Sequence, residues 1–148
     1  MSNKRGIYIP NGKNPWPHEM RVARILSAAG HYVEFIEETN LQTADIRLDG
    51  IEYEIKSPKS FNSNSFEHTL KRGTRQSPNL IIDSSRMRGV RDDKIRTFLV
   101  NQVKKQKQIK KLIFITKRGQ IIDISLTQTM FGRSTSKHCF NLLILRSW

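Results

Sequence analysis

Asp49-Gly50 is the feature that most constrains what this chain can fold into. It stands between two runs of alternating apolar and polar residues, Thr43-Ala44-Asp45-Ile46-Arg47-Leu48 and Ile51-Glu52-Tyr53-Glu54-Ile55-Lys56. A period of two marks a strand with one buried face, and Asp-Gly supplies the positive φ angles of a two-residue hairpin turn. Such a turn pairs Leu48 with Ile51, Ile46 with Tyr53 and Ala44 with Ile55, so six apolar side chains share one face. The other face pairs Arg47 with Glu52 and Asp45 with Glu54, and Lys56 follows two residues on.

Around this hairpin the remaining elements can be placed. Residues 1–14 lack periodicity and read as a flexible, extended N-terminal arm; residues 15–148 read as a single domain. Helical spacing of Met20, Val22, Ala23, Ile25, Leu26 and Ala29 follows Pro15-Trp16-Pro17, with Gly30 as its stop. Tyr32-Val33-Glu34-Phe35-Ile36 and Asn79-Leu80-Ile81-Ile82-Asp83 read as strands, with a helix from about Phe66 to Arg75 between the hairpin and the second of them. Ile95, Phe98, Leu99, Val103 and Ile109 predict a helix from Asp92 to Lys111. Leu112–Ile115, Ile121–Ile124 and Cys139–Leu145 complete the strands, the first two joined at Lys117-Arg118-Gly119. The expected fold is α/β (α+β): a mixed central sheet flanked by helices, with an α-β-β-β-α-β core followed by a C-terminal helix and strands.

Composition narrows the partners. The 148 residues carry a net charge of +13, which repels itself in a compact state and calls for an anionic partner. Nucleic acid is the commonest such partner for a domain this basic, and an acidic protein is the other. No apolar run approaches the ~20 residues of a membrane span, and the first residues lack a signal peptide's apolar stretch, so membrane insertion is not expected. Cys139 stands alone, which excludes an internal disulfide and a cysteine-based zinc site, and its apolar surroundings suggest an inert buried thiol. His18, His31, His68 and His138 show no metal-ligand spacing, and Trp16 and Trp148 read as packing residues.

Chemistry concentrates on the charged face of the hairpin. Asp45 directly opposite Glu54 is repulsive unless a cation lies between them, and carboxylate oxygens suit a hard divalent ion: Mg²⁺ first, with Mn²⁺ or Zn²⁺ as alternatives. With Lys56 beside them the set could cleave a phosphodiester, the metal polarising the phosphate and the Lys orienting water or offsetting charge. Taken alone, Asp…Glu-x-Lys is more often a solvated hairpin face in which Lys56 neutralises Glu54. Likewise Glu19 taken alone is a favourable acid in the first turn of a helix.

In its setting, Asp45 … Glu54-Ile55-Lys56 resembles the PD-(D/E)XK nuclease signature, with the Asp and the (D/E)-x-K triplet on successive core strands. The resemblance implies metal ligands at Asp45 and Glu54, with Glu19 from the first helix completing the site. A longer pattern adds His18-Glu19, Gly30-His31-Tyr32-Val33-Glu34-Phe35, Lys56-Ser57-Pro58 and Arg75-Gln76-Ser77-Pro78-Asn79-Leu80-Ile81-Ile82-Asp83. It is similar to the C-terminal tRNase toxin domain of contact-dependent growth inhibition (CdiA-type) proteins. That resemblance implies a metal-dependent endoribonuclease that cuts tRNA, acts in the cytoplasm of a target bacterial cell after delivery, and is restrained by an immunity protein. Gln76 would support the site, or else is an ordinary helix-end amide.

Lys59, Lys71, Arg72 and Arg75 suit phosphate contacts near the site. The cluster Lys104 to Lys111 fits either a second RNA surface or the dock of an acidic immunity protein. Two other functions fit the same residues: a DNA endonuclease of the restriction or repair type on the same fold, and a non-catalytic basic RNA-binding protein.

Overall fold

The computed structural model describes residues 5–124. Its elements run β1 (Gly6–Tyr8), α1 (Pro17–Ala28), β2 (Tyr32–Phe35), β3 (Ile46–Leu48), β4 (Ile51–Lys56), α2 (Ser63–Gln76), β5 (Asn79–Asp83), α3 (Asp92–Lys105), β6 (Lys111–Ile115) and β7 (Ile121–Asp123). The strands lie side by side in chain order in one mixed seven-stranded sheet. β1–β2, β4–β5 and β5–β6 are parallel pairs, while β2–β3, β3–β4 and β6–β7 are antiparallel. Parallel neighbours need a crossover, and each helix provides one: α1 between β1 and β2, α2 between β4 and β5, α3 between β5 and β6.

The alternation read from the sequence decides which helix covers which face. Val22, Ala23 and Leu26 of α1 pack with Val33, Phe35, Ile46, Leu48, Tyr53, Ile55, Ile81 and Ile113. Phe66 and Leu70 of α2, with Ile95 and Leu99 of α3, pack with Leu80, Ile82, Leu112 and Phe114. Consecutive residues of β5 thus enter opposite cores, as a strand with helices on both faces requires. The fold is α+β, a mixed sheet between α1 on one side and α2 with α3 on the other.

The hairpin forms in the expected register, with Leu48 opposite Ile51, Arg47 opposite Glu52 and Ile46 opposite Tyr53. Asp49 and Gly50 both take positive φ, 50° and 87°, the conformation the turn demands. Ile51 at its tip is 39% exposed rather than buried with the other apolar residues.

Two other expectations change. Within the expected N-terminal arm, residues 6–8 form an edge strand, because the Gly6 amide reaches the His31 carbonyl and the segment pairs with β2. α3 ends at Lys105, since Gln106 turns to extended backbone and the Lys110 amide is drawn to the Pro78 carbonyl. Ile109 is buried outside the helix, so its apolar character mimicked helical spacing. The expected strand Cys139–Leu145, with His138 and Trp148, lies outside the described residues. None of the helices among the described residues is long and apolar enough to cross a membrane.

Candidate active site

The β-ladder pairs Ile46 with Tyr53, yet the Asp45 amide also donates to the Tyr53 carbonyl, at 3.1 Å. Two residues on one side therefore face one on the other, which is a β-bulge. This corrects the expected pairing of Asp45 directly across from Glu54. The bulge re-aims Asp45, whose Oδ2 accepts the Ile55 amide at 2.8 Å while its carbonyl accepts the Ile36 amide. The carboxylate is held by backbone and still acts on Glu54 electrostatically.

Glu54 is the group under most strain. Its residue is 5% exposed, Lys56 Nζ lies 3.0 Å from its Oε2, and its Oε1 is buried without a hydrogen-bond partner among the described residues. Burial and then the Asp45 charge push its carboxyl up to about 7, against the pull of Lys56. Two ionised carboxylates hold no proton to share, so this pair asks for a proton or a cation. Glu19, also buried, is the third helical position of α1, and its Oε1 accepts the Trp16 amide at 3.4 Å. Burial and then Asp45 raise its carboxyl as well. Asp45 thus acts on both Glu54 of β4 and Glu19 of α1.

This donor set fits a divalent cation as a carboxylate pair with an open buried oxygen. Glu19, which the resemblance adds to the set, is near enough for the Asp45 charge to act on it. Among the described residues, no group of three or more His, Cys, Asp and Glu side chains is gathered to hold a metal. Glu19 turns to the backbone that opens its own helix.

Other residues gather that the sequence did not single out. His18, next to Glu19, has its imidazole lowered by burial and by Arg86, against the opposing charges of Asp83 and Asp45. Arg86 Nη1 lies 3.4 Å from His18 Nδ1. Asp83, fully buried at the end of β5, accepts from Arg21, from Ser57 Oγ, and from the amide and hydroxyl of Ser85. Arg21 also donates to the Thr116 and Lys117 carbonyls. This network locks α1 and the end of β4 to the ends of β5 and β6. A sequence signal existed for it: an Asp closing an apolar strand must find donors when buried.

Gly73 is the second unforeseen residue. A Cβ there would lie 3.0 Å from Leu80 Cδ2, 3.5 Å from Lys56 Cε and 3.8 Å from Glu54 Cγ. A bare glycine thus lets α2 lie against Glu54 and Lys56, and a Gly inside an otherwise regular helical pattern is the signal that could have found it.

Gln76 ends α2 half-buried and makes no hydrogen bond to Asp45, Glu54 or Lys56 among the described residues. Its neighbours explain this. Ser77 Oγ and Asn79 Nδ2 bind the Glu52 carbonyl, which fixes that end of α2 to the far part of β4. Lys59 is exposed in the loop after β4, and Lys71, Arg72 and Arg75 are exposed on α2, whose Phe66, Leu70 and Gly73 are buried. Trp16, expected to pack, is 67% exposed, because the prolines on either side hold it in extended backbone ahead of the helix.

Residues 42–121, more than half of the chain, match the contact-dependent growth inhibition CdiA C-terminal domain family. That span includes Asp45, Glu54, Lys56 and Gln76 and leaves Glu19 outside. Among solved structures, the fold is similar to a chain of a CdiA-CT/CdiI toxin and immunity complex from Burkholderia pseudomallei. The TM-score is 0.53 at 18% identity, covering 82% of this chain and 96% of that one. No curated protein sequence matches the chain.

Proposed function

The chain belongs to the contact-dependent growth inhibition CdiA C-terminal domain family, and from that premise we propose that it is a metal-dependent nuclease of the PD-(D/E)XK kind, a toxin domain that cleaves tRNA. The observation that carries this reading is the buried Glu54, pressed between Asp45 and Lys56 with one carboxylate oxygen unpartnered. A buried carboxylate oxygen that lacks a donor and sits beside a second carboxylate is relieved by a cation, and that is the site this reading assigns to it.

Asp45 and Glu54 would hold the divalent ion, Mg²⁺ in the first place. Bound there, such an ion would supply an activated water and would offset charge on the phosphate. Lys56, anchored at 3.0 Å on Glu54, is placed to donate from Nζ to a phosphoryl oxygen or to the attacking water, and stabilises the charge that develops. Glu19, with its raised carboxyl, would assist through the ion or its water. Gln76, at the end of α2, would support the site. Lys59, Lys71, Arg72 and Arg75 hold backbone phosphates without reading sequence.

The structural neighbour is a toxin with its immunity protein, which supports an acidic immunity partner for this basic chain as well. Delivery into a target cell, with action in its cytoplasm, goes with the same reading. Substrate choice is tested by incubating the wild-type protein and Mg²⁺ with total tRNA and, in parallel, with plasmid DNA. Discrete tRNA fragments beside intact plasmid are the expected result. Nicked plasmid beside intact tRNA would make it a DNA endonuclease on the same fold, and two intact substrates would contradict the nuclease reading.

A further inference from the structure

Past the end of β4, the chain forms a second charged feature that the active site does not use. A cleft of about 400 Å³ opens where the loop after β4, the loop after β5 and the first turn of α3 meet, and Phe61, Arg88, Arg91 and Lys94 are in its lining. It has three cationic side chains in its wall and no acidic one. Phe61 is fixed edge-on against Phe66 and Phe98, with ring centroids 6.0 and 5.4 Å away. Lys94 Nζ sits over the Phe61 ring, 5.3 Å from its centroid, so its ammonium is held in place by the ring face. Arg88 is exposed and makes no ion pair among the described residues, and Arg91 has only an exposed contact with Asp93 at 3.4 Å. Asp92, the other acid nearby, is turned away to Ser84 and Lys117.

The cleft is tied to the active site. Ser57, which follows Lys56, binds Asp83 at the end of β5 at 2.9 Å, so the two loops that make the cleft leave from one anchored point. Phe61 is five residues after Lys56, and the chain between them spans at most ~18 Å. A strand whose scissile phosphate lies at Lys56 therefore reaches the cleft within a few nucleotides.

We propose that this cleft is a phosphate subsite for the substrate strand, taking a backbone phosphate outside the bond that is cut. Arg88 and Arg91 offer planar donor forks and Lys94 a fixed point charge. The subsite rests on the nucleic-acid reading of the active site and adds to it a minimum substrate length.

The test uses the full chain with Asp45→Ala, to prevent cutting, and fluorescence anisotropy with single-stranded RNA of about 3 and about 12 nucleotides. Arg88→Gln and the double variant Arg88→Gln/Lys94→Gln are compared with it, their melting temperatures confirming the fold. For the long RNA, the double variant is expected to bind ~10-fold more weakly, with a salt slope shallower by about 0.7, the value for one lost phosphate contact. The short RNA should bind all three proteins alike. Unchanged affinity for the long RNA overturns the proposal, and so does equal weakening for both lengths. Unchanged RNA binding with weakened capture by an acidic protein would also overturn it, in favour of a protein dock. If the wild-type protein cuts nothing but the length-dependent loss appears, the catalytic reading fails and the subsite stands.

Discussion

Among the residues, Glu54 has the most perturbed carboxyl of the site. Its folded carboxyl titrates near 7 against an ordinary value of 4.5, so between those two values the folded chain binds a proton that the unfolded chain has lost. Stability therefore falls as pH rises through that window, and above pH 8 the full cost is present. Glu54→Gln removes the charge while keeping the shape. It is expected to leave the melting temperature unchanged near pH 4 and to raise it by about 4–8 °C at pH 8, corresponding to a gain on the order of 2 kcal/mol. Cleavage should be lost in the same variant. Mg²⁺ at pH 8 should stabilise the wild type and leave Glu54→Gln unmoved, because the variant no longer presents the carboxylate pair. Thermal melts with and without Mg²⁺ at the two pH values check this, and a Glu54→Gln protein less stable than wild type at pH 8 would count against the strained pair. Such a trade of stability for function is what a catalytic carboxylate held against its neighbour should show.

At the scale of the element, α2 shows how packing sets the site. Gly73→Ala improves helix propensity by about 1 kcal/mol. The new methyl must nonetheless be accommodated at 3.0 Å from Leu80 and against Lys56. The expected result is a melting temperature within ~3 °C of wild type and a cleavage rate ~10-fold lower, since small misplacements of Lys56 act on the rate rather than on the fold. Initial rates beside a thermal melt measure both. A variant that cuts at the wild-type rate would remove α2 from the positioning of Lys56.

The hairpin was legible because Asp49-Gly50 fixes register, and register fixes every side chain on β3 and β4. The bulge at Asp45 was not, because it depends on the Asp45 amide and carboxylate finding Tyr53 and Ile55 across the strand, and nothing in the alternation encodes it. The same limit hid His18 and the Arg21–Asp83 network, whose partners come together only when α1 crosses the ends of β5 and β6. Glu19 was found on the right helix turn, yet its hydrogen bond to the Trp16 amide is a local choice that spacing cannot predict. β1 went unread because three residues carry too little periodicity to register.

At the scale of the whole molecule, a charge of +13 makes salt dependence the natural signature of the substrate. Replacing Lys71, Arg72 and Arg75 together by Gln should leave the melting temperature unchanged, because all three are exposed. It should make RNA binding less salt-dependent by about 2 in the log–log slope, at ~0.7 per phosphate contact. An unchanged slope in a salt titration would mean that α2 does not line the path of the substrate.

The most direct measurement of the central claim is a gel of total tRNA incubated with wild-type, Asp45→Ala and Lys56→Ala proteins, each with Mg²⁺ and with EDTA. Discrete fragments are expected in the wild-type Mg²⁺ lane alone, with at least ~100-fold less product from each variant, as loss of a metal ligand or of a charge-stabilising donor commonly brings. Fragments that persist in EDTA, or that Asp45→Ala yields as fast as the wild type, would place the chemistry elsewhere in the molecule.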